Sequence, residues 1–237
     1  MTQVIWHDIE CGSYRADLDL WRELADAEEG PVLDVGAGTG RVTLDLARCG
    51  HDVTALDREQ AFLATLRERA GSLPVQTAVA DAGSYDLPGR SFGLIIAPMQ
   101  TVQLLGAAGR AGFLRAARAH LTPHGLVACA LADAMEAFDA EHVLLPLPDV
   151  GIVDGVSYYS QPVALRDKGD RMAIERIRTV VTAAGERSAS DDVIHLDKIT
   201  PAELEAEAAA AGLWPRAARV IPQTEEHVGT TVVMLRG

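Results

Sequence analysis

The chain has 237 residues and carries 34 acidic against 21 basic side chains, a formal charge of −13 with histidine neutral. At 48% hydrophobic residues it can bury one sizeable α/β core without disulfides or metal. The negative balance repels phosphate backbones and anionic headgroups, which excludes nucleic-acid and membrane-surface roles driven by nonspecific charge and leaves a small or cationic ligand compatible.

The opening MTQVIWHDIECG has neither a basic n-region nor an apolar h-region and carries Asp8 and Glu10, so no secretory or transit segment is expected. No uncharged apolar run is long enough to span a bilayer. Cys11, Cys49 and Cys129 contain no CxxC pair and make neither a disulfide framework nor a thiolate zinc site, so the expected compartment is a reducing cytoplasm. Leu18, Trp21, Leu24 and Ala25 fall at helical spacing behind Ser13, which predicts an amphipathic helix over 13–27, capped by Ser13 and broken at Gly30-Pro31.

From Val32 the pattern changes. VLDVG predicts a strand, RVTLDLARCG a helix closed by Gly50, DVTALD a second strand, REQAFLATLRERAG a second helix and PVQTAVAD a third strand, the alternation of a parallel sheet. SFGLIIAP adds a fully apolar fourth strand, AAGRAGFLRAARAHL a helix, and GLVACAL a fifth strand after the turn TPHG. Residues 133–199 break the rhythm: SYYSQPVAL and MAIERIRTVVTAA alternate or are β-branched with no strong helix between them, predicting an antiparallel insertion. PAELEAEAAAAGL then predicts a helix introduced by Thr200-Pro201, and strands near ARVIP and at TTVVMLR, with no crossover helix between them, predict an antiparallel pair.

The most informative segment is Asp34-Val35-Gly36-Ala37-Gly38-Thr39-Gly40, because small residues at a strand-to-helix turn let the backbone approach a ligand that side chains would exclude. A G-x-G-x-G string alone is weak. Here it follows an apolar strand, opens a helix and is followed about twenty residues on by Asp57 at the end of the next strand, the place of an acid that holds ribose hydroxyls. A dinucleotide fingerprint wants Gly or Ala where Arg41 stands, and a pyrophosphate is repelled by Asp34, whereas an ammonium group is attracted to it. Asp81 ends the third strand, where an adenine edge would lie.

In VLDVGAGTGRVTLDLARCGHDVTALD, AVADAGSYDLPGRSFGLIIAP and HLTPHGLVACAL the chain resembles the class I S-adenosylmethionine-dependent methyltransferases. The resemblance covers most of residues 31–131 and implies a Rossmann-like seven-stranded sheet, mostly parallel with an antiparallel last strand and helices on both faces. It implies S-adenosyl-L-methionine as cofactor, with Gly36, Ala37 and Gly38 against the methionine moiety, Asp34 near its amino group, Asp57 on the ribose, Asp81 and Ala82 at the adenine and Arg58 bordering that ring. Ala97, Pro98 and Met99 would sit where methionine and acceptor meet. Phe92-Gly93-Leu94 departs from the F-D-L pattern frequent in the family. Ala97-Pro98-Met99-Gln100 stands where enzymes acting on nucleic-acid bases or glutamine carry N-P-P-Y or D-P-P-Y, which argues against those subclasses.

Methyl transfer from a sulfonium is an in-line displacement that orientation and water exclusion largely accomplish, so no catalytic base is assigned. His227 beside Glu225 and Glu226 reads as a solvated loop cluster, His120 and His124 as flanking a turn rather than sharing a metal, and Asp191-Asp192 as a surface charge pair without a partner. No metal site is expected. Gln100 and Gln103, after the fourth strand, face the crevice where ligands collect and are candidate acceptor-binding residues. Tyr14, with Trp6 and His7 upstream, is expected in a flap over the cofactor, while Trp21 packs in the core. Tyr158 and Tyr159 point to opposite faces of a strand, so one is expected to face a substrate pocket.

The reading is therefore a single cytoplasmic methyltransferase domain: an N-terminal helical flap (1–30), a cofactor-binding core (31–132), a β insertion serving as substrate lid (133–199) and a closing helix and strand pair (200–237). Its expected reaction is methyl transfer to an N or O nucleophile of a small molecule, with S-adenosylhomocysteine as product and a possible homodimer through the insertion. The alternatives are a noncatalytic S-adenosylmethionine-binding module and an NAD(P)-dependent oxidoreductase, the latter opposed by Arg41 and Asp34.

Overall fold

The computed structural model describes residues 2–132, 134–141, 144–224 and 227–237. Strand β1 (Val32–Val35) pairs in parallel with β2 (Val53–Asp57) on one side and β4 (Phe92–Ala97) on the other, with β3 (Val75–Val79) outside β2 and β5 (Leu121–Leu131) outside β4. β12 (Thr230–Arg236) runs antiparallel beside β5, and β11 (Trp214–Ile221) antiparallel beside β12. The resulting order, β11-β12-β5-β4-β1-β2-β3, changes direction of travel between β1 and β4, which opens a crevice beyond the carboxyl ends of those strands.

β1 and β4 are buried along their whole length, as strands covered on both faces must be. Alternate residues divide between two cores. Leu33, Val35 and Ile95 join Phe113 and Leu114 of α5 (Gly106–His120) and Leu204 of α6 (Pro201–Ala210), whereas Val32, Leu94 and Ile96 join Trp21 and Leu24 of α2 (Leu18–Ala27) and Leu46 of α3 (Arg41–Arg48). Helix α4 (Gln60–Ala70) packs Leu63 and Leu66 against Ala55. Thr200 and Glu203 form a reciprocal capping box at the start of α6. Among the described residues no helix is long and apolar enough to cross a membrane.

Three local expectations are corrected. The first helix of the chain is α1 (Thr2–Cys11), and α2 begins at Leu18 with Asp17, not Ser13, in the cap position. Asp17 makes no capping bond because its carboxylate accepts from Arg41 and from the Trp21 indole. TPHG is not a turn ahead of the fifth strand. It is a bulge within β5, where Phe92 opposes Leu121 and Leu94 opposes Leu126. The glycine of Phe92-Gly93-Leu94 has a backbone reason, since a Cβ there would lie 1.8 Å from the Glu29 carbonyl oxygen.

Residues after β5 form a second, antiparallel sheet of β6 (Phe138–Asp139), β7 (Asp149–Val153), β8 (Val156–Asp167), β9 (Arg171–Val181) and β10 (Arg187–Asp197), ordered β10-β9-β8-β6 with β7 also on β8. The chain leaves the large sheet at Ala132 and comes back at Asp197, and one side chain holds both points. Gln103 donates to the carbonyls of Ala132 (3.3 Å) and Asp197 (3.2 Å) and accepts from the Ala132 N–H (2.9 Å). Beside it the buried Arg110 of α5 pairs with Asp197 and, bidentately, with Glu207 of α6. Arg110→Ala leaves Glu207 without its cation and Asp197 with Arg171 alone, and should lower unfolding free energy by about 1–2 kcal/mol in urea titration, less than for a fully buried pair because Glu207 is partly solvated and Asp197 keeps a partner.

Candidate functional site

The turn after β1 lies at the crevice. Gly36, Gly38 and Gly40 have φ of 74°, 55° and 97°, the left-handed region open to glycine at low cost. The N–H groups of Gly36 and Ala37 donate to the Leu56 carbonyl at 2.8 and 3.1 Å, fixing the turn to β2. Gly38 N–H donates to Asp57 Oδ2 at 2.8 Å, and Asp57 Oδ1 accepts from Glu59 N–H at 2.9 Å. Asp57 is thus held rigidly against the turn. Two elements approach the glycines closely: a Cβ on Gly36 would lie 2.8 Å from the Thr101 side chain, and one on Gly38 would lie 2.3 Å from His7 Nε2.

Asp34, beneath the turn, is 1% exposed. Its Oδ2 accepts from Thr43 Oγ1 at 2.6 Å, and its Oδ1 has no hydrogen-bond partner among the described residues. Burial pushes the carboxyl up to about 6, opposed by the Thr43 hydrogen bond and the charge of Arg41. A buried acceptor without a donor costs stability until a ligand or water supplies one. The glycine cradle and the orphaned carboxylate oxygen together fit a ligand that presents a cationic N–H donor at this place.

Other expected site residues are distributed unevenly. Asp81 follows β3, is exposed and accepts from Gly83 N–H at 2.7 Å, with Ala82 half-buried beside it. Ala97 and Pro98 are buried, and Met99 adopts φ 55°, a strained value for a non-glycine residue. Gln100, half-buried, opens the 3-10 turn Thr101–Leu104 whose Thr101 caps Pro98. Tyr14 is buried, with the Arg41 guanidinium 5.1 Å from its ring centroid and His227 stacked at 4.7 Å. Burial and the nearby Asp17 push its hydroxyl up, opposed by a hydrogen bond with Thr230.

Several expectations fail here. Gln103 has its amide fully engaged by backbone at the roots of the insertion, so it is not free to bind an acceptor. The Arg58 side chain is 76% exposed and turns to Glu59, not toward a ring in the crevice. Neither tyrosine of the pair faces an open pocket: Tyr158 packs edge-on against Trp6 at 5.3 Å, and Tyr159 lies on the opposite, exposed face. His227 is stacked on Tyr14 rather than loose in solvent, while its neighbours Glu225 and Glu226 lie outside the described residues. Asp192 has a partner in Arg178 at 2.7 Å. His120 uses both ring nitrogens structurally, accepting from Leu87 N–H at 2.9 Å and bonding the Ala116 carbonyl at 2.8 Å.

The sequence reading expected a flap at Trp6 and His7 but not the helix α1 that carries them, nor its attachments on two sides. Asp8 accepts from Thr39 Oγ1 at 2.6 Å and from Arg69 of α4, and His7 lies against Thr39 and Phe62. Burial would raise the Asp8 carboxyl, but bonds from His7, Arg69 and Thr39 hold it well below the usual range. The opposite side of α1 meets the insertion: Glu10 accepts from Ser160 at 2.7 Å and, bidentately, from Arg178 at 2.8 Å. The available signal was Val4, Ile5, Trp6 and Ile9 with no breaker before Gly12. A cavity of about 210 Å³ lies behind this latch, lined by Arg15, Arg41, Arg48 and Arg69 among others; it touches the turn only at Thr39 and Gly40 and reaches none of Asp34, Asp57 or Asp81.

Residues 32–125 match the family model of a methyltransferase domain. No curated protein sequence matches the chain at a significant level. Among solved structures, the S-adenosylmethionine-bound amino pentose methyltransferase CalS10 of Micromonospora echinaspora is 24% identical, with 98% of this chain and 97% of that chain covered at TM-score 0.71. The sugar N-methyltransferase KedS8 of Streptoalloteichus is 21% identical, with 100% and 93% covered at 0.74. The glycopeptide N-methyltransferase MtfA, complexed with S-adenosylhomocysteine, is 21% identical, with 92% and 86% covered at 0.63. At these identities the likeness establishes a shared fold across nearly the whole chain, second sheet included.

Because the folded value of Asp34 lies above its ordinary 3.8, the folded chain binds the proton more tightly, and this group reduces stability as pH rises from about 4 through about 6, above which the loss is complete and constant. Asp34→Asn keeps an acceptor for Thr43 and removes the desolvated charge. The unliganded variant should gain about 1–2 kcal/mol over the parent at pH 8, after the cost of its own unpaired amide, and lose that advantage at pH 4. Denaturant titration at the two pH values checks this; equal differences at both would refute the assignment.

Proposed function

We propose that this chain, a class I S-adenosylmethionine-dependent methyltransferase, transfers the methyl group to an amine of a small, sugar-like acceptor in the cytoplasm. The observation that carries the cofactor half is Asp34 Oδ1, a buried carboxylate oxygen without a donor at the foot of a glycine turn. When bound, S-adenosylmethionine supplies an electrophilic methyl on a sulfonium, and its amino acid end carries the ammonium that this oxygen lacks.

In this reading Gly36, Ala37 and Gly38 pass the methionine moiety close to backbone. Asp57, preset by the Gly38 and Glu59 N–H groups, accepts from the ribose hydroxyls through its remaining lone pairs. Asp81 and Ala82 border the adenine. Ala97, Pro98 and the strained Met99 form the wall at which acceptor and methyl align, and α1 with Tyr14 closes over them to exclude water. An amine acceptor must arrive without its proton, because its lone pair is the nucleophile.

The amine preference draws on the neighbours. Those described as amino pentose, sugar N- and glycopeptide N-methyltransferases share not only the cofactor sheet but the added antiparallel sheet, the part of the chain beyond the cofactor core. A nicotinamide cofactor is disfavoured by Arg41, which fills the helix-packing position of a dinucleotide turn, and by Asp34, which would face a pyrophosphate.

Calorimetry with S-adenosylhomocysteine should show binding that weakens as pH falls below about 6, when Asp34 takes up a proton, and Asp34→Asn should bind more weakly with that pH dependence flattened. Asp57→Ala should weaken binding by about 1–3 kcal/mol, the scale of hydrogen bonds to a charged group. Binding of NADH with no response to S-adenosylhomocysteine would overturn the cofactor. With labelled cofactor, an amino sugar should be labelled and its hydroxyl counterpart should not. The reverse result would make this an O-methyltransferase, and bound cofactor with no product from either would favour a binding module.

A further inference from the structure

Helix α3 turns one face, Arg41, Leu44, Asp45 and Arg48, toward the cavity of about 210 Å³ behind α1. Positions three and four apart share a side of a helix, so these residues form one stripe. Arg15, from the segment between α1 and α2, and Arg69 of α4 line the cavity as well. Four guanidinium groups from three parts of the chain thus converge on one space, in a protein whose net charge is −13.

Nearby carboxylates do not balance them. Arg41 is matched by Asp17 and Arg69 by Asp8. Asp45, the acid in the lining, is held bidentately by Arg22, which the solvent-exposed Asp19 also meets. Arg15 donates through one nitrogen to the carbonyls of Gly12 at 2.6 Å and Tyr14 at 3.0 Å, and it meets no carboxylate among the described residues. Arg48 is exposed and has neither a hydrogen bond nor an ion pair among the described residues. Two cations are left over, beside two more that keep a free donor, since a guanidinium offers five N–H groups and the pairs of Arg41 and Arg69 leave Nε unused.

We propose that this cavity is an anion site, separate from the crevice, that takes the phosphate group of a small molecule. Its volume is more than ten times the roughly 10–15 Å³ that one water needs. It is smaller than the roughly 300 Å³ at which pockets for drug-sized ligands begin, so it suits a phosphate or diphosphate group rather than a whole nucleotide. One guanidinium fork satisfies a planar carboxylate, whereas the oxygens of a phosphate accept from several directions at once, as arginines from separate elements offer. The acidic remainder of the surface does not prevent this, because charges farther off than about 8–10 Å are screened at ordinary ionic strength. Arg41 and Arg69 are also the anchors of the N-terminal segment through Asp17 and Asp8. An anion among the four arginines offsets their mutual repulsion and holds that segment to α3, so phosphate stabilises the folded chain by mass action.

Calorimetry of the full chain at pH 8 with inorganic phosphate, set against chloride at equal ionic strength, tests this. AMP is the arm in which the phosphate is carried on a larger molecule. The parent should bind phosphate with a Kd of about 1 mM or below and unfold at a higher temperature in its presence. Arg48→Glu, which puts a carboxylate where the unpaired cation stood, should weaken phosphate by about tenfold or more, the scale of a hydrogen bond to a charged group. Far-UV circular dichroism equal to the parent's shows that the variant is folded; should it not fold, Arg15→Gln removes the other unpaired charge without adding an acid and should weaken phosphate too. Binding should persist in saturating S-adenosylhomocysteine, because the cavity reaches none of Asp34, Asp57 or Asp81. AMP tighter than phosphate supports the site with an ester as its ligand, and phosphate tighter than AMP supports it with the free ion. A parent that responds to ionic strength alone, folded variants that bind phosphate as tightly as the parent, or phosphate displaced by S-adenosylhomocysteine would overturn the proposal.

Discussion

The arrangement of the site depends on one buried ion pair. Arg41, at the first turn of α3, forms two parallel hydrogen bonds with Asp17 at 2.6 and 2.7 Å, and the two side chains are 9% and 1% exposed. Asp17 also accepts from the Trp21 indole at 2.8 Å, and Arg41 donates to the Tyr14 carbonyl and lies over the Tyr14 ring. Such a pair contributes little net stability over apolar packing, because desolvation offsets most of its attraction. What it supplies is position. A bidentate guanidinium accepts its partner in one orientation only, and here that orientation ties the segment after α1 to the helix that begins at the glycine turn. The N-terminal latch is consequently held over the turn at two points, by Asp17 on Arg41 and by Asp8 on Thr39 and Arg69.

The large sheet was legible in the sequence because its signals are local. Fully apolar runs such as Leu94–Ala97 read as covered strands, the glycine turn marks its own junction, and Thr200 with Pro201 marks a helix start. The misreadings arise where a side chain answers to something far away in sequence. Asp17 lies in a cap position but serves Arg41, so Ser13 looked the better cap. Gln103 stands in the place of a crevice residue, yet its amide is claimed by Ala132 and by Asp197, 94 positions later. Tyr158 needed a ring, and the ring belongs to Trp6, on a helix whose brevity and modest apolar stripe hid it. Periodicity reports which side of an element is apolar and is silent on what meets it.

The same distinction explains why cofactor and acceptor sites differ in how far they can be read. In the proposed reading, cofactor contacts fall at strand ends and turns, where a single residue type meets a single geometric requirement, glycine for close approach and aspartate for paired hydroxyls or an ammonium. The acceptor would instead lie where α1, the second sheet and the segment after β4 converge, and those elements are joined by Gln103, Arg110, Glu10 and Arg178 through bonds spanning from 29 to 168 positions. Their relative placement follows from tertiary closure rather than from any local pattern.

Asp34 shows how the unliganded protein carries a cost that only function explains. A Thr43 hydrogen bond satisfies one oxygen, and the interior could have been made more stable by an apolar residue of similar size, since burial lifts the carboxyl to about 6 even against the Thr43 hydrogen bond and the charge of Arg41. The turn above it is similarly built against local preference, with three left-handed glycines followed by an arginine that needs a buried counter-ion. Deviations from what packing prefers therefore converge on one place in the fold, and a bound cation would relieve the largest of them by giving Asp34 Oδ1 its missing donor. The free energy withheld from folding at that oxygen becomes binding free energy when the donor arrives, which ties the unfavourable burial of Asp34 to ligand affinity through a single atom.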